Sequence, residues 1–178
     1  MRDPNRNVIH VIQGQFHVSG RPQDEITTVL GSCVAVCLHD PLNRIGGMNH
    51  FLLPGNDPRE GRNVKYGAHS MEQLVNGMLR AGAQRYRLEA HVFGGGNVVK
   101  GLSRIGDSNA AFAREFIQQE GFVLRTVDVG GTLGRRLRFL PYTGQTRVEK
   151  LDPSLQEIQR SERRPATVPR PVGAVELF

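Results

Sequence analysis

The pattern of hydrophobic and polar residues is typical of β-strands over most of the chain and typical of helices in two segments. Residues 26–30 are rich in β-branched side chains and predict a strand that ends at Gly31. Residues 34–38 are a nearly continuous apolar run, as expected for a strand that is covered on both faces. Glycine, proline and asparagine separate these runs from their neighbours. Further strands are predicted at 8–12, 15–18, 45–53, 88–92, 122–129 and 137–140.

The helical pattern predicts two helices. Between Met71 and Leu79 the apolar residues recur every three or four positions, which indicates an amphipathic helix over about 68–81 that ends at Gly82. A shorter helix is expected over about 108–120 and is stopped by Gly121. Strands outnumber helices, so the predicted fold class is α/β or α+β, with packed sheets that are flanked by helices.

The chain is expected to form one domain with a tail. Its 178 residues are enough to bury a substantial core, and residues 1–148 are assigned to that domain. Residues 149–178 are predicted to be a flexible tail because 152–171 contains four prolines, mixed charges and few large apolar side chains. The apolar end at 175–178 is either a docking peptide or an ordinary terminus.

Composition narrows the classes of partner. The net charge of +6 fits either ordinary solubility or an acidic partner. Nucleic acid is disfavoured because the basic residues are scattered and aromatic residues do not alternate with them. No apolar run reaches the ~18 residues of a membrane helix, and residues 1–7 lead into no signal-like segment. Neither membrane insertion nor export is therefore expected.

The two cysteines are expected to be free thiols. Cys33 and Cys37 lie four residues apart, which in an extended strand separates them by about 13 Å. A disulfide tolerates only about 4.4–6.8 Å between Cα atoms. Free thiols are typical of a cytoplasmic protein.

Cys33 stands at a position that favours nucleophilic chemistry. It follows Gly31 and Ser32, where a sharp turn allows the thiol to project and backbone N–H groups to point at a developing oxyanion. The thiolate is the attacking species. The alternative is that Cys33 is an ordinary buried cysteine, as Cys37 is expected to be.

His50 is the candidate base for this thiol, because imidazole is suited to proton transfer near neutral pH. A hairpin through residues 39–43 would bring it back towards Cys33. Either Thr27 or Thr28 could then orient the far nitrogen of the ring, and these residues alone do not decide between the two. The alternative is a structural, hydrogen-bonded histidine.

Two other site types fit the sequence poorly. Cys33, Cys37, His39 and His50 have a spacing that matches no standard zinc pattern. The run at 94–97, Gly-Gly-Gly-Asn, lacks the remaining residues of a phosphate-binding loop. A tight turn beside the active site is the preferred interpretation of that run.

The combination of these motifs resembles the chemoreceptor glutamine deamidase family of bacterial chemotaxis (CheD). The likeness extends from about residue 8 to 148 and includes the Gly-Ser-Cys turn, a histidine seventeen residues later and a Phe-Gly-Gly-Gly-Asn run. The matching segments are TTVLGSCVAVCLHDP at 27–41, GGMNHFLLP at 46–54, Tyr66-Gly67 with the helix at 71–79, EAHVFGGGN at 89–97, Ile105-Gly106 with Asn109 and the helix after it, DVGG at 128–131, Gly134-Arg135 and PYTG at 141–144.

The resemblance implies a specific activity. It implies a fold similar to toxin-type cysteine deamidase domains, with Cys33 as nucleophile, His50 as base and Thr27, rather than Thr28, as the third member. The implied substrates are glutamines on the cytoplasmic domain of methyl-accepting chemotaxis receptors, and glutamate methyl esters are a further option. No metal or organic cofactor is implied. A CheC-type phosphatase is an implied partner, and a non-catalytic adaptor for receptors or that phosphatase is the alternative function.

Overall fold

Two mixed β-sheets pack face to face, and two helices cover the outer face of the second sheet. The computed structural model describes residues 3–55, 60–98 and 104–152. This arrangement confirms the predicted fold class of packed mixed sheets flanked by helices. None of the helices in these ranges is both long and apolar enough to span a membrane.

The first sheet has four strands in the order β1-β3-β8-β9, and the second has five in the order β2-β5-β4-β6-β7. The strands are β1 Asn7–His10, β2 Phe16–Ser19, β3 Asp24–Leu30, β4 Val34–Asp40, β5 Ile45–Asn49, β6 Glu89–Gly94, β7 Val123–Val129, β8 Gly134–Leu140 and β9 Gln145–Leu151. The helices are α1 Gly61–Arg80 and α2 Ile105–Glu120.

β4 is the central strand of the second sheet and is buried on both faces. Because side chains alternate along a strand, Val34, Val36 and Leu38 pack in the core between this sheet and the helices. Ala35 and Cys37, together with Cys33 just before the strand, face the first sheet. The space between the two sheets is therefore where the candidate nucleophile lies.

The predicted hairpin through residues 39–43 is present, and it pairs β4 with β5 in antiparallel fashion. β5 ends at Asn49 rather than at residue 53. The same register nevertheless continues in an isolated bridge between Val34 and Phe51. The chain therefore stays alongside the start of β4 as far as the bridge, which matters for the placement of His50.

The helices begin earlier than the sequence predicts. α1 starts at Gly61 rather than near residue 68, and α2 starts at Ile105 rather than near 108. The first turns of α1 are packed by Asn63 and Gly67, not by large apolar side chains. At Gly67 an added Cβ would lie 2.4 Å from the ring of Phe112. Small and polar packing residues leave no hydrophobic period for sequence reasoning to detect.

β9 was not predicted, and it moves the domain boundary. The assignment of residues 149–178 to a tail is wrong at its start, because β9 pairs with β8 through Leu151. Only Leu151 in this strand is buried. An ion pair between Arg136 of β8 and Glu149 of β9 also joins the two strands. A strand with so few apolar residues resembles a solvated segment in sequence. The rest of the predicted tail, 153–178, lies outside the described residues.

Candidate active site

The turn before β4 is held by the three glycines at 94–96. The Gly95 N–H donates to the Cys33 carbonyl at 2.8 Å, and the Gly96 N–H donates to the Gly31 carbonyl at 2.9 Å. At Gly94, where φ is +106°, an added Cβ would lie 2.2 Å from the Cys33 carbonyl oxygen. The glycine run therefore acts as a close backbone support for the cysteine turn, as the sequence predicts.

Asn109 of α2 fastens the other side of this turn. Its Nδ2 donates to the Ser32 carbonyl and its Oδ1 accepts from the Leu53 N–H, both at 2.9 Å. The side chain is fully buried, so both bonds are shielded from water. Sequence reasoning did not assign Asn109 to the site, although it lies in a segment that follows the family pattern.

These contacts orient the backbone around Cys33. In a trans peptide the N–H points away from the C=O of the same unit. Since the Gly31 and Ser32 carbonyls face Gly96 and Asn109, the N–H groups of Ser32 and Cys33 face the opposite way. That orientation is compatible with the predicted oxyanion support from the Gly31-Ser32 turn.

The bridge beyond β5 places His50 on the same face as Cys33. Val34 and Phe51 exchange backbone hydrogen bonds of 3.0 and 2.9 Å. This register sets His50 diagonally across from Cys33, an arrangement in which residues are about 7–8 Å apart and longer side chains still meet. The structure thus brings the two predicted site residues to one region, on the face that looks towards the first sheet.

The loop between β1 and β2 supports His50 from its other edge. The His50 N–H donates to the Gln15 carbonyl at 3.1 Å, and the Gly14 N–H donates to the His50 carbonyl at 2.8 Å. The residue is 3% exposed. Its backbone is therefore fixed on both sides, which leaves the ring little freedom of position.

The hydrogen bonds of Thr28 define the tautomer of His50. The Thr28 hydroxyl donates to the Val11 carbonyl at 2.6 Å and lies 2.8 Å from His50 Nδ1. A hydroxyl has one hydrogen, and here it is directed at Val11. With that hydrogen assigned to Val11, Thr28 Oγ1 accepts from Nδ1–H. Nδ1 also lies 3.4 Å from the Val11 carbonyl, and the lone pair of the neutral ring is assigned to Nε2.

His50 Nε2 is a buried acceptor. Among the described residues it has no hydrogen-bond partner. Burial lowers the pKa of His50 from 6.5 to about 4, against a smaller opposing effect of the Val11 carbonyl. The ring is consequently neutral at physiological pH and able to take a proton from a neighbouring group.

Thr27 does not occupy the position predicted for it. Its hydroxyl donates to the Leu137 carbonyl at 2.8 Å. Neighbouring side chains on a strand point to opposite faces, and Thr28 shares the inner face with Ile26 and Leu30. The expectation that Thr27 orients the ring of His50 is therefore wrong, and Thr28 makes that contact.

Gln13 contacts the thiol, and Tyr66 interacts with it electrostatically; neither was assigned to the site from the sequence. The Cys33 Sγ–H donates to Gln13 Oε1 at 3.6 Å, a distance within the range of sulfur hydrogen bonds. Burial raises the pKa of Tyr66 in α1, and the charge of Cys33 raises it further. Tyr66 therefore lies within electrostatic range of the thiol.

Cys37 and His39, two of the residues weighed for a metal site, have other surroundings. Cys37 is completely buried, and burial raises the pKa of its thiol. His39 bonds through Nε2 to the Tyr142 carbonyl at 3.3 Å. Within residues 3–55, 60–98 and 104–152 there is no group of three or more His, Cys, Asp or Glu side chains that could hold a metal ion.

A cysteine, a neutral histidine and a threonine on the inner face of two packed sheets form the kind of site that a thiol-dependent hydrolase uses. The chain belongs to the CheD family. The family model described as "CheD chemotactic sensory transduction" matches residues 52–150, and curated relatives match almost the whole length.

Three such relatives are each named "Probable chemoreceptor glutamine deamidase CheD". The protein from Jannaschia sp. is 47% identical over all of this chain and 98% of its own length. The one from Caulobacter vibrioides is 46% identical over 99% of this chain and 96% of its own. The one from Agrobacterium fabrum is 45% identical over 96% of each.

Likeness to solved structures is distant. A Neisseria meningitidis protein of the DUF152 family is 11% identical, covers 71% of this chain and 64% of its own, and has a TM-score of 0.45. The Bacillus licheniformis hypothetical protein YfiH is 12% identical; the match covers 64% of this chain and 49% of that protein, with a TM-score of 0.41. Neither likeness carries an argument about function.

Proposed function

We propose that this protein is a chemoreceptor glutamine deamidase. It hydrolyses glutamine side chains on the cytoplasmic domain of methyl-accepting chemotaxis receptors to glutamate, as the names of its relatives suggest. The observation that carries the assignment to these residues is the bond from His50 Nδ1 to Thr28, which leaves the Nε2 lone pair buried on the face that Cys33 shares.

The first half of the reaction forms a thioester. His50 Nε2 takes the proton from Cys33 Sγ, and the thiolate attacks the carboxamide carbon of the substrate. Negative charge collects on the carbonyl oxygen, which the backbone N–H groups of Ser32 and Cys33 stabilise. When the C–N bond breaks, His50 returns the proton and ammonia leaves.

The second half consumes one water molecule. His50 takes a proton from the water, the hydroxide adds to the thioester carbon, and the C–S bond breaks to release glutamate. The proton held by His50 then returns to Sγ. All steps use groups of this chain and water, and none needs a metal or an organic cofactor.

Thr28 is proposed as the orienting third residue in this scheme. By accepting from Nδ1–H, it fixes the tautomer whose Nε2 can accept a proton. Its own hydrogen is assigned to the Val11 carbonyl at 2.6 Å, and in this arrangement the hydroxyl is an acceptor towards the ring. Thr28 therefore has the role that the family resemblance implies for Thr27.

Other features of the proposal follow from the same chemistry. A glutamate methyl ester presents the same type of carbon, and its hydrolysis would release methanol in place of ammonia. The net charge of +6 suits a receptor region rich in glutamate. A cytoplasmic location and binding of a CheC-type phosphatase complete the proposed setting.

Peptide mass spectrometry of the receptor tests the proposal. A receptor cytoplasmic fragment is incubated with the wild-type protein or with Cys33→Ala, and every glutamine is mapped. We expect specific glutamines to become glutamate with the wild-type protein only. If all glutamines remain amides with the wild-type protein, the deamidase assignment is lost, and binding to the fragment then tests the adaptor alternative.

A further inference from the structure

Gln13 is held against the candidate nucleophile by the segment that also positions His50. Its Oε1 lies 3.6 Å from Cys33 Sγ. The residues around it are fixed by backbone bonds, since Gly14 donates to the His50 carbonyl and Gln15 accepts from the His50 N–H. The Gln13 carboxamide is therefore placed beside the thiol by the same contacts that place the base.

We propose that Gln13 is a further catalytic residue, whose side-chain Nε2 donates a hydrogen bond to the oxyanion formed when Cys33 attacks the substrate. This inference rests on the proposed deamidase function and adds to it a side-chain donor from the β1–β2 loop. The substrate carbonyl oxygen then has partners from two separate segments, that loop and the turn before β4.

The chemistry of the carboxamide suits both states of the thiol. In the resting protein Gln13 Oε1 accepts from Sγ–H. Once the proton has moved to His50, the sulfur and then the substrate oxygen carry negative charge, and an acceptor oxygen is no longer favourable there. Rotation of the terminal amide exchanges its oxygen for the NH₂ group, which is a donor.

The distance fits this role. Donors of an oxyanion hole lie about 2.7–3.1 Å from the charged oxygen. That oxygen sits on the carbon that is bonded to the attacking sulfur. A nitrogen in the present position of Oε1, 3.6 Å from Sγ, is therefore compatible with a hydrogen bond to it. Gln13 is half-buried, so it can meet an incoming substrate and still be shielded from bulk water.

The competing interpretation is that the Gln13 carboxamide stands in for the substrate. In that case it would block the thiol, or would itself be deamidated by Cys33. The two interpretations predict opposite effects of removing the side chain. Loss of an oxyanion donor slows turnover by about 10²–10³-fold, whereas loss of a blocking group accelerates it.

The test compares wild type, Gln13→Ala and Gln13→Glu, with Gln23→Ala as the control. Gln23 is an exposed glutamine in the loop before β3. The readouts are kcat and KM for receptor deamidation, the rate at which iodoacetamide alkylates Cys33, and a peptide map of residue 13. Alkylation needs the thiolate but forms no oxyanion, so it separates the two stages of catalysis.

We expect kcat to fall about 10²–10³-fold in Gln13→Ala, with KM and the alkylation rate within a few-fold of wild type. Gln13→Glu, which keeps the shape but lacks the donor, should lose at least as much activity. The proposal is overturned by wild-type kcat in Gln13→Ala, by an equal loss in alkylation, by faster turnover, or by a peptide map that shows Gln13 deamidated. If the wild-type protein itself leaves receptor glutamines intact, the proposed function fails instead.

Discussion

The two ends of β4, the first at residues 33–34 and the second at residues 37–40, carry similar residues in different surroundings. Cys33 and Cys37 share one face of the second sheet; the register places His50 diagonally across from Cys33, and His39 follows Cys37 by two residues. At the first end, Cys33 follows a turn and meets the Gln13 carboxamide. At the second, Cys37 is paired with strands on both sides. Both residues are buried, Cys33 at 2% and Cys37 at 0% exposure, so the contrast lies in the local backbone and the contacts of the thiol.

The polar and charged side chains at the second end make structural contacts with neighbouring elements. Asp40 accepts two hydrogen bonds from Arg87, at 2.9 and 3.0 Å. Burial alone would raise the pKa of Asp40, but these bonds and two backbone N–H groups lower it to about 2. His39 donates to a carbonyl and lies against Gly144. These contacts satisfy the side chains with fixed partners.

The comparison shows that residue type does not distinguish a reactive group from a structural one. What distinguishes the first end is the position of the thiol: Cys33 lies at a turn, on the face that His50 shares, and contacts Gln13, whereas Cys37 lies in mid-strand between two paired strands. The predictions below separate the two ends by asking which substitutions change the reaction and which change only the stability.

The largest effect is expected from His50→Gln. Loss of the base removes both activation of the thiol and protonation of ammonia, so kcat should fall at least 10³-fold, which corresponds to about 4 kcal/mol. Receptor deamidation rates measure this, with circular dichroism as a check of folding. A folded His50→Gln protein with full activity would rule out the base assignment.

His50 should also make stability depend on pH. Its pKa is about 4 in the folded protein and near 6.5 when unperturbed, so the unfolded chain binds its proton more readily. Stability from this group is full above about pH 6.5 and is lost as pH falls towards 4, by about 3 kcal/mol in all.

Urea unfolding at pH 7.5 and 4.5 measures this loss. The loss of unfolding free energy between these two pH values should be smaller in His50→Gln than in the wild type, by most of the ~3 kcal/mol assigned to His50. In the control His69→Gln the loss should equal that of the wild type, because His69 is exposed. The buried His39 and His91 have lowered pKa values too, but they are present in all three proteins. An unchanged loss in His50→Gln would contradict the buried, neutral ring.

The two threonines provide the next test. Thr28→Val keeps the shape but removes the acceptor for His50 Nδ1–H, and we expect kcat to fall about 10- to 100-fold, as for loss of a buried hydrogen bond of ~1.5–3 kcal/mol. Thr27→Val loses only the bond to the Leu137 carbonyl and should keep activity within a few-fold. The reverse ranking in the deamidation assay would favour Thr27 as the orienting residue.

The smallest effect is expected at the second end. Cys37→Ala removes one buried sulfur atom and should lower the free energy of unfolding by about 1 kcal/mol, with deamidation unchanged. Chemical denaturation and the receptor assay check the two parts. A large loss of activity without a loss of stability would mean that Cys37 takes part in the reaction.

Much of this arrangement could be predicted from local pattern. The apolar runs at 34–38 and 45–53, with the Asp-Pro turn between them, indicated the hairpin that brings His50 back to Cys33. The turn beside Cys33 and its absence beside Cys37 separated the two cysteines. Both arguments depend on residues that are close in sequence, where turn chemistry and periodicity act.

To choose between Thr27 and Thr28, one must know which face of β3 looks towards His50. The two-residue period groups Thr28 with Ile26 and Leu30 and puts Thr27 on the other face. Both threonines are buried, so the structure was needed to show which face meets His50. The family position favoured Thr27. Gln13 had no comparable signal, because a loop has no periodicity and its contact with Cys33 spans two strands and a turn.

Alkylation of the native protein tests the central claim most directly. Limiting iodoacetamide is added near neutral pH, and the modified fractions of Cys33 and Cys37 are mapped while the remaining rate of receptor deamidation is measured. We predict that activity falls in proportion to the modification of Cys33 and reaches zero while Cys37 is still unmodified. Deamidation that persists after complete modification of Cys33 would contradict the account.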